Sequence, residues 1–286
     1  MCPEGELNKN FKVLYIVGAG NSGTTLLSRV LGSHDAIRNI GELNNLSRYY
    51  SQELECACGD QLTQCSYWTK INKDLYDSPI SLDRSFKSKL KLLVFFKILG
   101  RTGKATSSLQ DLNELYKEIF LSEQENVVVD SSKDVIRLLY MCNSSPFNIV
   151  PVYLVRDGRA YIDSYLQRGG KSTIKGYLRW LAMNLMTLVV INRVRNSHPS
   201  IRISYNDLVC NPETVVKALC CKAGILYDEN MLDYAEKVSH AIAGTRSKSL
   251  GGAIQPHEKW RSRLSKKDLF LFSLLGGRLM NRFFGA

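Results

Sequence analysis

The pattern of apolar and polar stretches along the chain predicts a parallel sheet covered by helices. Phe11–Val17 is an apolar, β-branched run that stops at a glycine, as a strand buried on both faces does. Similar runs occur at Asn126–Val129, Asn148–Val155 and Ile201–Ser204, and each leads into a stretch with helical periodicity. Strands that alternate with helices are typical of an α/β fold. We therefore predict three layers, with helices on both sides of a parallel sheet of about four or five strands.

The stretch 43–125 interrupts this alternation. Its pattern predicts mostly helix, with a basic amphipathic section at Phe86–Arg101 and a polar linker at Thr102–Ser108. We interpret it as a helical insertion that caps one side of the sheet, within a single domain that spans residues 1–286. The basic section is a candidate for peripheral contact with a membrane or an anionic acceptor, although a solvated helix face is the simpler explanation.

The charge of the chain narrows the class of partner. A formal net charge of +11, from 38 Lys and Arg against 27 Asp and Glu, suits an acidic small molecule, a polyanion or an anionic surface. A well-solvated basic surface explains the charge equally well. The basic residues are scattered and show no interleaved aromatic pattern, so we expect no nucleic-acid partner.

The N-terminal residues have no basic start followed by an apolar run, so we expect no secretory signal. The longest apolar stretches, near Leu90–Leu99 and Leu181–Ile191, are shorter than the roughly 18–20 residues that cross a bilayer. We therefore expect no transmembrane segment and a cytoplasmic protein. In that compartment the 8 cysteines would be reduced thiols.

A glycine-rich turn follows the first predicted strand and favours an anion as ligand. Gly18–Gly23 precedes the helical stretch Thr24–Leu31, so backbone N–H groups and the helix dipole can converge on a phosphate. The spacing matches the P-loop of nucleotide triphosphatases, except that Thr24 occupies the position of the phosphate-binding lysine. This difference indicates a ligand other than ATP or GTP. The candidate cradle consists of Gly20, Asn21, Ser22, Gly23, Thr24 and Thr25.

A second anion anchor follows the strand Asn148–Val155. Arg156 comes directly after it, at the carboxyl edge where open α/β sheets bind ligands, and its guanidinium offers a bidentate fork for phosphate. Ser164 lies about two turns into the next helix and can add a hydroxyl donor. Two anchors after two different strands suit a nucleotide with charges at both its 3′ and 5′ positions.

Both segments resemble sulfotransferases that use 3′-phosphoadenosine 5′-phosphosulfate (PAPS). Asn21–Leu27 is similar to the 5′-phosphosulfate loop of this family, although Asn21 stands where the family usually has Lys or Arg. Val155–Ala160 with Ser164 is similar to its 3′-phosphate motif. The resemblance leaves 43–125 almost untouched. It implies a P-loop-like fold and transfer of a sulfuryl group from PAPS, which leaves as 3′-phosphoadenosine 5′-phosphate (PAP).

Segments nearer the C-terminus add to this resemblance. His240–Arg246, followed by Trp260, is similar to the tail of carbohydrate-type and bacterial members, in which such a loop closes over the nucleotide. Arg246 and Lys248 are therefore candidates for further phosphate contacts. Ser204–Leu208 also resembles a strand-to-helix segment of the family, and we interpret it as structural.

The resemblance also implies catalytic residues. The run Leu31–Glu42 is similar in spacing to protein-tyrosine sulfotransferases, in which a glutamate after a short strand is the base, so Glu42 is the candidate here. His34 could compete for this role, although we expect it to pack or cap locally. Lys133 resembles the family lysine that stabilises the leaving group. The implied acceptor is a hydroxyl or an amine, with a carbohydrate or another small molecule as the expected class, and we expect no metal at the active site.

An alternative function is a P-loop kinase that acts on a small molecule with ATP and Mg²⁺. It would use Asp130, which follows a strand, as the magnesium ligand, and it would need a substitute for the missing lysine. Cys56, Cys58 and Cys65 form a separate cluster along the chain. Three thiols with no fourth ligand nearby in sequence favour a structural turn or redox-sensitive thiols over zinc.

Overall fold

Five parallel strands form the centre of the fold. The computed structural model describes residues 11–75, 107–122, 125–235, 237–243, 254 and 258–286. The strands lie in the order β2-β3-β1-β4-β5, and every neighbouring pair is parallel, which confirms the predicted sheet. Their bounds are Lys12–Val17 for β1, Ile37–Gly41 for β2, Val127–Asp130 for β3, Asn148–Val155 for β4 and Ile201–Ser204 for β5.

The central strand β1 is buried on both faces, which explains its unbroken apolar run. Val13, Tyr15 and Val17 point into one hydrophobic core, whereas Leu14 and Ile16 point into another. Side chains alternate between the two faces of a strand, so both faces need apolar residues. The sheet is therefore the middle layer of three.

Helices cover both faces of the sheet. Within the described residues the helices are α1 (Thr24–Leu31), α2 (Leu46–Ser51), α3 (Ser107–Leu121), α4 (Val135–Ser144), α5 (Gly158–Gln167), α6 (Thr173–Val194), α7 (Tyr205–Cys210), α8 (Pro212–Ala223), α9 (Trp260–Arg263), α10 (Lys266–Leu274) and α11 (Gly277–Phe284). Helices α1, α7 and α8 contribute to the core that contains Leu14, and α3 to α6, α10 and α11 contribute to the core that contains Tyr15.

The described part of the insertion begins and ends close to the sheet. Short 3₁₀ turns and α2 follow β2, and α3 packs on the same core as β1, where Phe120 stacks on Phe11 with ring centroids 4.4 Å apart. The predicted basic section Phe86–Arg101 lies outside the described residues, as does most of the linker Thr102–Ser108.

Helix α6 corrects one expectation from the sequence. An 18-residue window of this 22-residue helix has a mean hydropathy of 1.3, so α6 is long and apolar enough to cross a membrane by length and composition. Its buried face nevertheless packs on the sheet, because Asn184 accepts a hydrogen bond of 2.8 Å from the Tyr153 hydroxyl on β4 and Trp180 is fully buried. These contacts are those of a core helix, whereas Ile174, Leu178, Leu185 and Val189 of α6 are exposed.

Candidate active site

The segments predicted to bind and react all leave the sheet at its carboxyl edge. In spatial order, β2 is followed by Glu42, β3 by the segment with Lys133, β1 by the glycine-rich loop, β4 by Arg156 and β5 by Tyr205. Parallel strands end at the same edge, which is where open α/β sheets bind their ligands. The topology therefore brings together residues that are more than 100 positions apart along the chain.

The glycine-rich loop turns tightly before α1. Gly18 has φ 155° and Gly23 has φ 91°, and a Cβ atom on Gly18 would lie 2.3 Å from the Leu154 carbonyl oxygen. Only glycine tolerates both the close approach and these φ values. Within the loop, the Ser22 hydroxyl is buried and has no hydrogen-bond partner among the described residues, whereas nothing within 4 Å would meet a Cβ atom on Gly20.

Arg156 joins the two predicted anchors directly. Its Nη1 atom donates a 2.5 Å hydrogen bond to the carbonyl oxygen of Asn21, and its Cζ atom lies 4.4 Å from the centre of the Tyr205 ring. Burial lowers the pKa of Arg156 from its usual range, but an arginine remains charged at neutral pH. A positive charge is thus held against the backbone of the loop.

Two cavities meet at Arg156. One has a volume of about 440 Å³ and is lined by Asn21, Thr25 and Ser164, together with Arg168 and Arg263. The other has a volume of about 390 Å³ and lies at the carboxyl end of β5 and the start of α7. The two cavities share four lining residues, which are Arg156, Ala160, Tyr205 and Trp260. Volumes of this size are typical of small-molecule sites.

Glu42 and Lys133 contact each other at the same edge. The Lys133 ammonium donates a hydrogen bond to the Glu42 carboxylate, and the Asn45 amide donates a second one of 3.1 Å. The exposed fraction is 18% for the Lys133 side chain and 21% for that of Glu42, so both remain open to a ligand. The backbone N–H of Glu42 donates to the Ile242 carbonyl oxygen at 2.7 Å, which fixes the start of this segment.

Comparison with known structures identifies the fold. The chain superposes on the sulfotransferase domain of a Synechococcus olefin synthase with a TM-score of 0.56, at 18% identity over 96% of this chain and 98% of that one. It superposes on the sulfotransferase domain from the curacin biosynthetic pathway with a TM-score of 0.56, at 17% identity over 93% of this chain and 98% of that one. The chain has the sulfotransferase fold. No protein-family model and no sequence of a curated protein matches it.

Within this sulfotransferase fold, Asp130 belongs to the core. Its carboxylate is fully buried and accepts hydrogen bonds from the Tyr116 hydroxyl at 2.5 Å and from the Ser132 backbone N–H at 2.7 Å. Burial raises its pKa, and the nearby guanidinium of Arg137 opposes that rise. The carboxylate therefore connects β3 to α3 and points away from the open edge. His34 is also held by hydrogen bonds to backbone, since its Nδ1 atom accepts from the Ala36 N–H at 3.0 Å and its Nε2 atom lies 3.0 Å from the carbonyl oxygen of Leu226.

Three residues of the site, Tyr205, Trp260 and Arg263, were not predicted as ligand-binding. Tyr205, interpreted as structural, forms a wall of both cavities, and Trp260 holds the guanidinium of Arg159 4.3 Å from its ring centre. Arg168 and Arg263 line the cavity beside Ser164. The signal that could have found Tyr205 is its position directly after β5. The remaining predicted nucleotide contacts, Arg246 and Lys248, lie outside the described residues.

Proposed function

We propose that the protein is a sulfotransferase that moves the sulfuryl group of PAPS to a hydroxyl or an amine of an acceptor, with PAP as the product. The observation that carries this proposal is the placement of a carboxylate–ammonium pair, Glu42 and Lys133, beside a glycine-rich anion cradle and the half-buried Arg156 at one sheet edge. The acceptor class that we propose is a carbohydrate or another small molecule.

The residues of the edge suit a nucleotide with phosphates at both ends. The loop offers backbone N–H groups, and the buried Ser22 hydroxyl can donate to a 5′ phosphosulfate. Arg156 and Ser164 line one cavity and can hold the 3′ phosphate through charge-assisted hydrogen bonds. Strands β3 and β4 are two strand spacings apart, or about 10 Å, which leaves room for the nucleoside between Lys133 and Arg156.

Asn21 is uncharged, but three arginine side chains lie nearby. Arg156 is hydrogen-bonded to the backbone of Asn21 itself, and Arg168 and Arg263 line the adjoining cavity. An arginine that reaches the loop from another strand can neutralise a phosphate as well as one within the loop. We propose that these three arginines provide the positive field of the donor site.

The bound donor supplies a sulfuryl group with PAP as its leaving group. Glu42 takes the proton from the acceptor hydroxyl as the hydroxyl oxygen attacks the sulfur atom. Lys133 stabilises the negative charge that grows on the bridging oxygen as the S–O bond breaks. Their mutual hydrogen bond holds each side chain at the edge before the ligands arrive. Neither role needs a metal ion, because the protein supplies both the base and the cation.

The alternative of a small-molecule kinase has less support. Thr24 occupies the position of the phosphate-binding lysine, and the carboxylate of Asp130, the candidate magnesium ligand, is buried with both oxygens hydrogen-bonded to protein. We also propose a cytoplasmic location, where thiols remain reduced, because the 7 cysteines of the described residues are free.

Calorimetric titration of the purified chain with PAP tests the proposal first, with ATP plus Mg²⁺ and AMP as controls. Micromolar binding of PAP that is lost when the 3′ phosphate is removed would establish the donor site. A panel of sugars and phenols, each assayed for release of PAP from PAPS, would then identify the acceptor. Binding of ATP with no response to PAP would overturn the proposal and favour the kinase.

A further inference from the structure

Four metal-binding side chains meet at a place that the donor site does not use. The sulfur atoms of Cys56, Cys58 and Cys65 and a ring nitrogen of His240 all lie within 4.8 Å of one another. Cys58 Sγ and Cys65 Sγ are 3.7 Å apart, and Cys65 Sγ and His240 Nδ1 are 3.2 Å apart. The histidine is the fourth ligand that the cysteine spacing lacks, and it comes from a position 175 residues away.

Backbone hydrogen bonds shape the cysteine turn independently of any ion. The N–H of Cys56 donates to the Asp60 carbonyl oxygen at 2.8 Å, and the N–H of Gly59 donates back to the Cys56 carbonyl oxygen at 3.0 Å. This compact turn brings Cys56 and Cys58 to the same side although a single residue separates them. The cysteine cluster is therefore preorganised by the fold.

The aromatic residues that follow the turn hold His240 in place. The indole N–H of Trp68 donates a 2.7 Å hydrogen bond to the His240 carbonyl oxygen. The Tyr67 ring stacks on the imidazole, with centroids 5.5 Å apart and an interplanar angle of 23°. Since both aromatic side chains are buried, the imidazole is oriented by the same segment that carries the thiols.

The dimensions of the cluster fit a tetrahedral zinc ion. Zn–S bonds of about 2.3 Å in a tetrahedron place neighbouring sulfur atoms about 3.8 Å apart, close to the 3.7 Å between Cys58 and Cys65. A disulfide would need a separation of about 2.05 Å. Cys56 and Cys65 are buried, and Cys58 and His240 are half-buried, which is typical of a closed structural site. We propose that Cys56, Cys58, Cys65 and His240 bind one structural Zn²⁺ ion.

This ion would connect the insertion to the edge strand beside the catalytic pair. Next to His240, the N–H of Ile242 donates to the Ile40 carbonyl oxygen at 3.0 Å, and the Ile242 carbonyl oxygen accepts from the N–H of Glu42 at 2.7 Å. Zinc at the cluster would hold the segment that pairs with the end of β2. The ion would thus position Glu42. This role rests on the proposed function, whereas the proposed metal site is independent of that function.

Elemental analysis of the purified full chain tests the site without an activity assay. We expect about one zinc per chain after dialysis, and less than a tenth of that in Cys58→Ser and His240→Ala. Cys221→Ser, which changes an exposed thiol outside the cluster, is the matched control and should keep its zinc. Wild-type protein without zinc, or cluster variants with the wild-type zinc content, would overturn the proposal.

Two measurements on the wild-type chain guard against variants that fail to fold. Replacement of zinc by Co²⁺ should give the intense visible absorption of a tetrahedral cobalt–thiolate complex. Removal of the metal by a chelator should make three additional thiols reactive. A Cys58–Cys65 disulfide in protein purified under reducing conditions would instead assign the cluster to redox chemistry. Binding of PAP by calorimetry tests the proposed function separately, so failure of one does not imply failure of the other.

Discussion

Lys133 donates a hydrogen bond to Glu42, a residue 91 positions earlier in the chain, from a backbone conformation that lysine rarely adopts. Its φ angle of 61° lies in the left-handed region, which costs a non-glycine residue roughly 1 kcal/mol. Strain of this kind persists where the surrounding structure holds it, and it is concentrated at functional sites. The conformation places the ammonium of Lys133, in the segment after β3, on the carboxylate of Glu42, which follows β2.

Glu42→Gln should remove the base but preserve the donor site. Because a carboxamide cannot take the acceptor proton, we expect release of PAP from PAPS to slow by roughly 10²- to 10⁴-fold with the best acceptor of the wild-type protein. Calorimetric binding of PAP should stay within a few-fold of wild type. Glu213→Gln, which changes an exposed carboxylate paired with Lys217 on α8, is the control. Full turnover in Glu42→Gln would exclude this residue from catalysis.

Lys133 allows stability and activity to be separated by two substitutions. Lys133→Gly and Lys133→Ala both remove the ammonium, and both should lose most of the turnover. Glycine relieves the left-handed strain and alanine does not, so we expect Lys133→Gly to be the more stable by about 1 kcal/mol. Urea unfolding of the two variants measures this difference. Equal stabilities would show that the φ angle at this position carries no strain.

Arg156→Ala should weaken the binding of PAP directly. A charge-assisted hydrogen bond to phosphate contributes roughly 1.5–3 kcal/mol, so we expect the dissociation constant to rise by about 10- to 150-fold. AMP, which lacks the 3′ phosphate, should lose less affinity than PAP does in Arg156→Ala, because only the contribution of Arg156 to the positive field at the loop is removed.

The control for this prediction is Arg202→Ala, which removes an exposed arginine on β5 that lines neither cavity. It should bind PAP as wild type does. If Arg156→Ala weakened PAP and AMP by the same factor, then Arg156 would act on the loop or the 5′ phosphate and not on the 3′ phosphate.

The strands could be predicted because parallel strands are buried on both faces. Val13–Val17 and Ile149–Val155 therefore appear in the sequence as unbroken apolar runs. The edge residues followed from the same pattern, since Arg156 comes directly after such a run. Tyr205 also comes directly after a strand, β5. That strand, Ile201–Ser204, is short, and its pattern gave no reason to predict a ligand contact for Tyr205.

Contacts that depend on distant parts of the chain were beyond the sequence pattern. His240 completes the cysteine cluster through a tertiary contact, and no local spacing indicates which histidine will do so. Asp130 follows a strand as a magnesium ligand would, and only the packing of Tyr116 from α3 shows that its carboxylate faces the core. The sequence shows only the apolar stretch Leu181–Ile191, whereas α6 spans Thr173–Val194, because polar residues such as Arg179 lie in the helix beyond that stretch.

Ionisation of the Asp157 carboxylate should make the free energy of unfolding depend on pH. Asp157 caps α5, and its side chain accepts hydrogen bonds from the Arg159 backbone N–H at 2.7 Å and from the Arg159 guanidinium at 2.5 Å. Burial raises the pKa of Asp157, whereas these hydrogen bonds and the one to Asn281 lower it. The lowering effect is the larger, so the pKa lies below its usual value of 3.8. The folded state therefore favours the charged form.

A depressed pKa contributes stability above the unfolded-state value, and that contribution is lost as the pH falls through the folded-state value. Asp157→Asn keeps a capping side chain but removes the charge, so it should be less stable than wild type by about 1 kcal/mol at pH 7. Below the folded-state pKa both side chains are neutral, and the difference in the free energy of unfolding should vanish. Asp157→Ala, which also loses the cap, should remain less stable at every pH. Urea unfolding from pH 7 down to pH 2 measures the free energy of unfolding of all three proteins. If the difference between wild type and Asp157→Asn stayed constant with pH, the charge of Asp157 would not stabilise the fold.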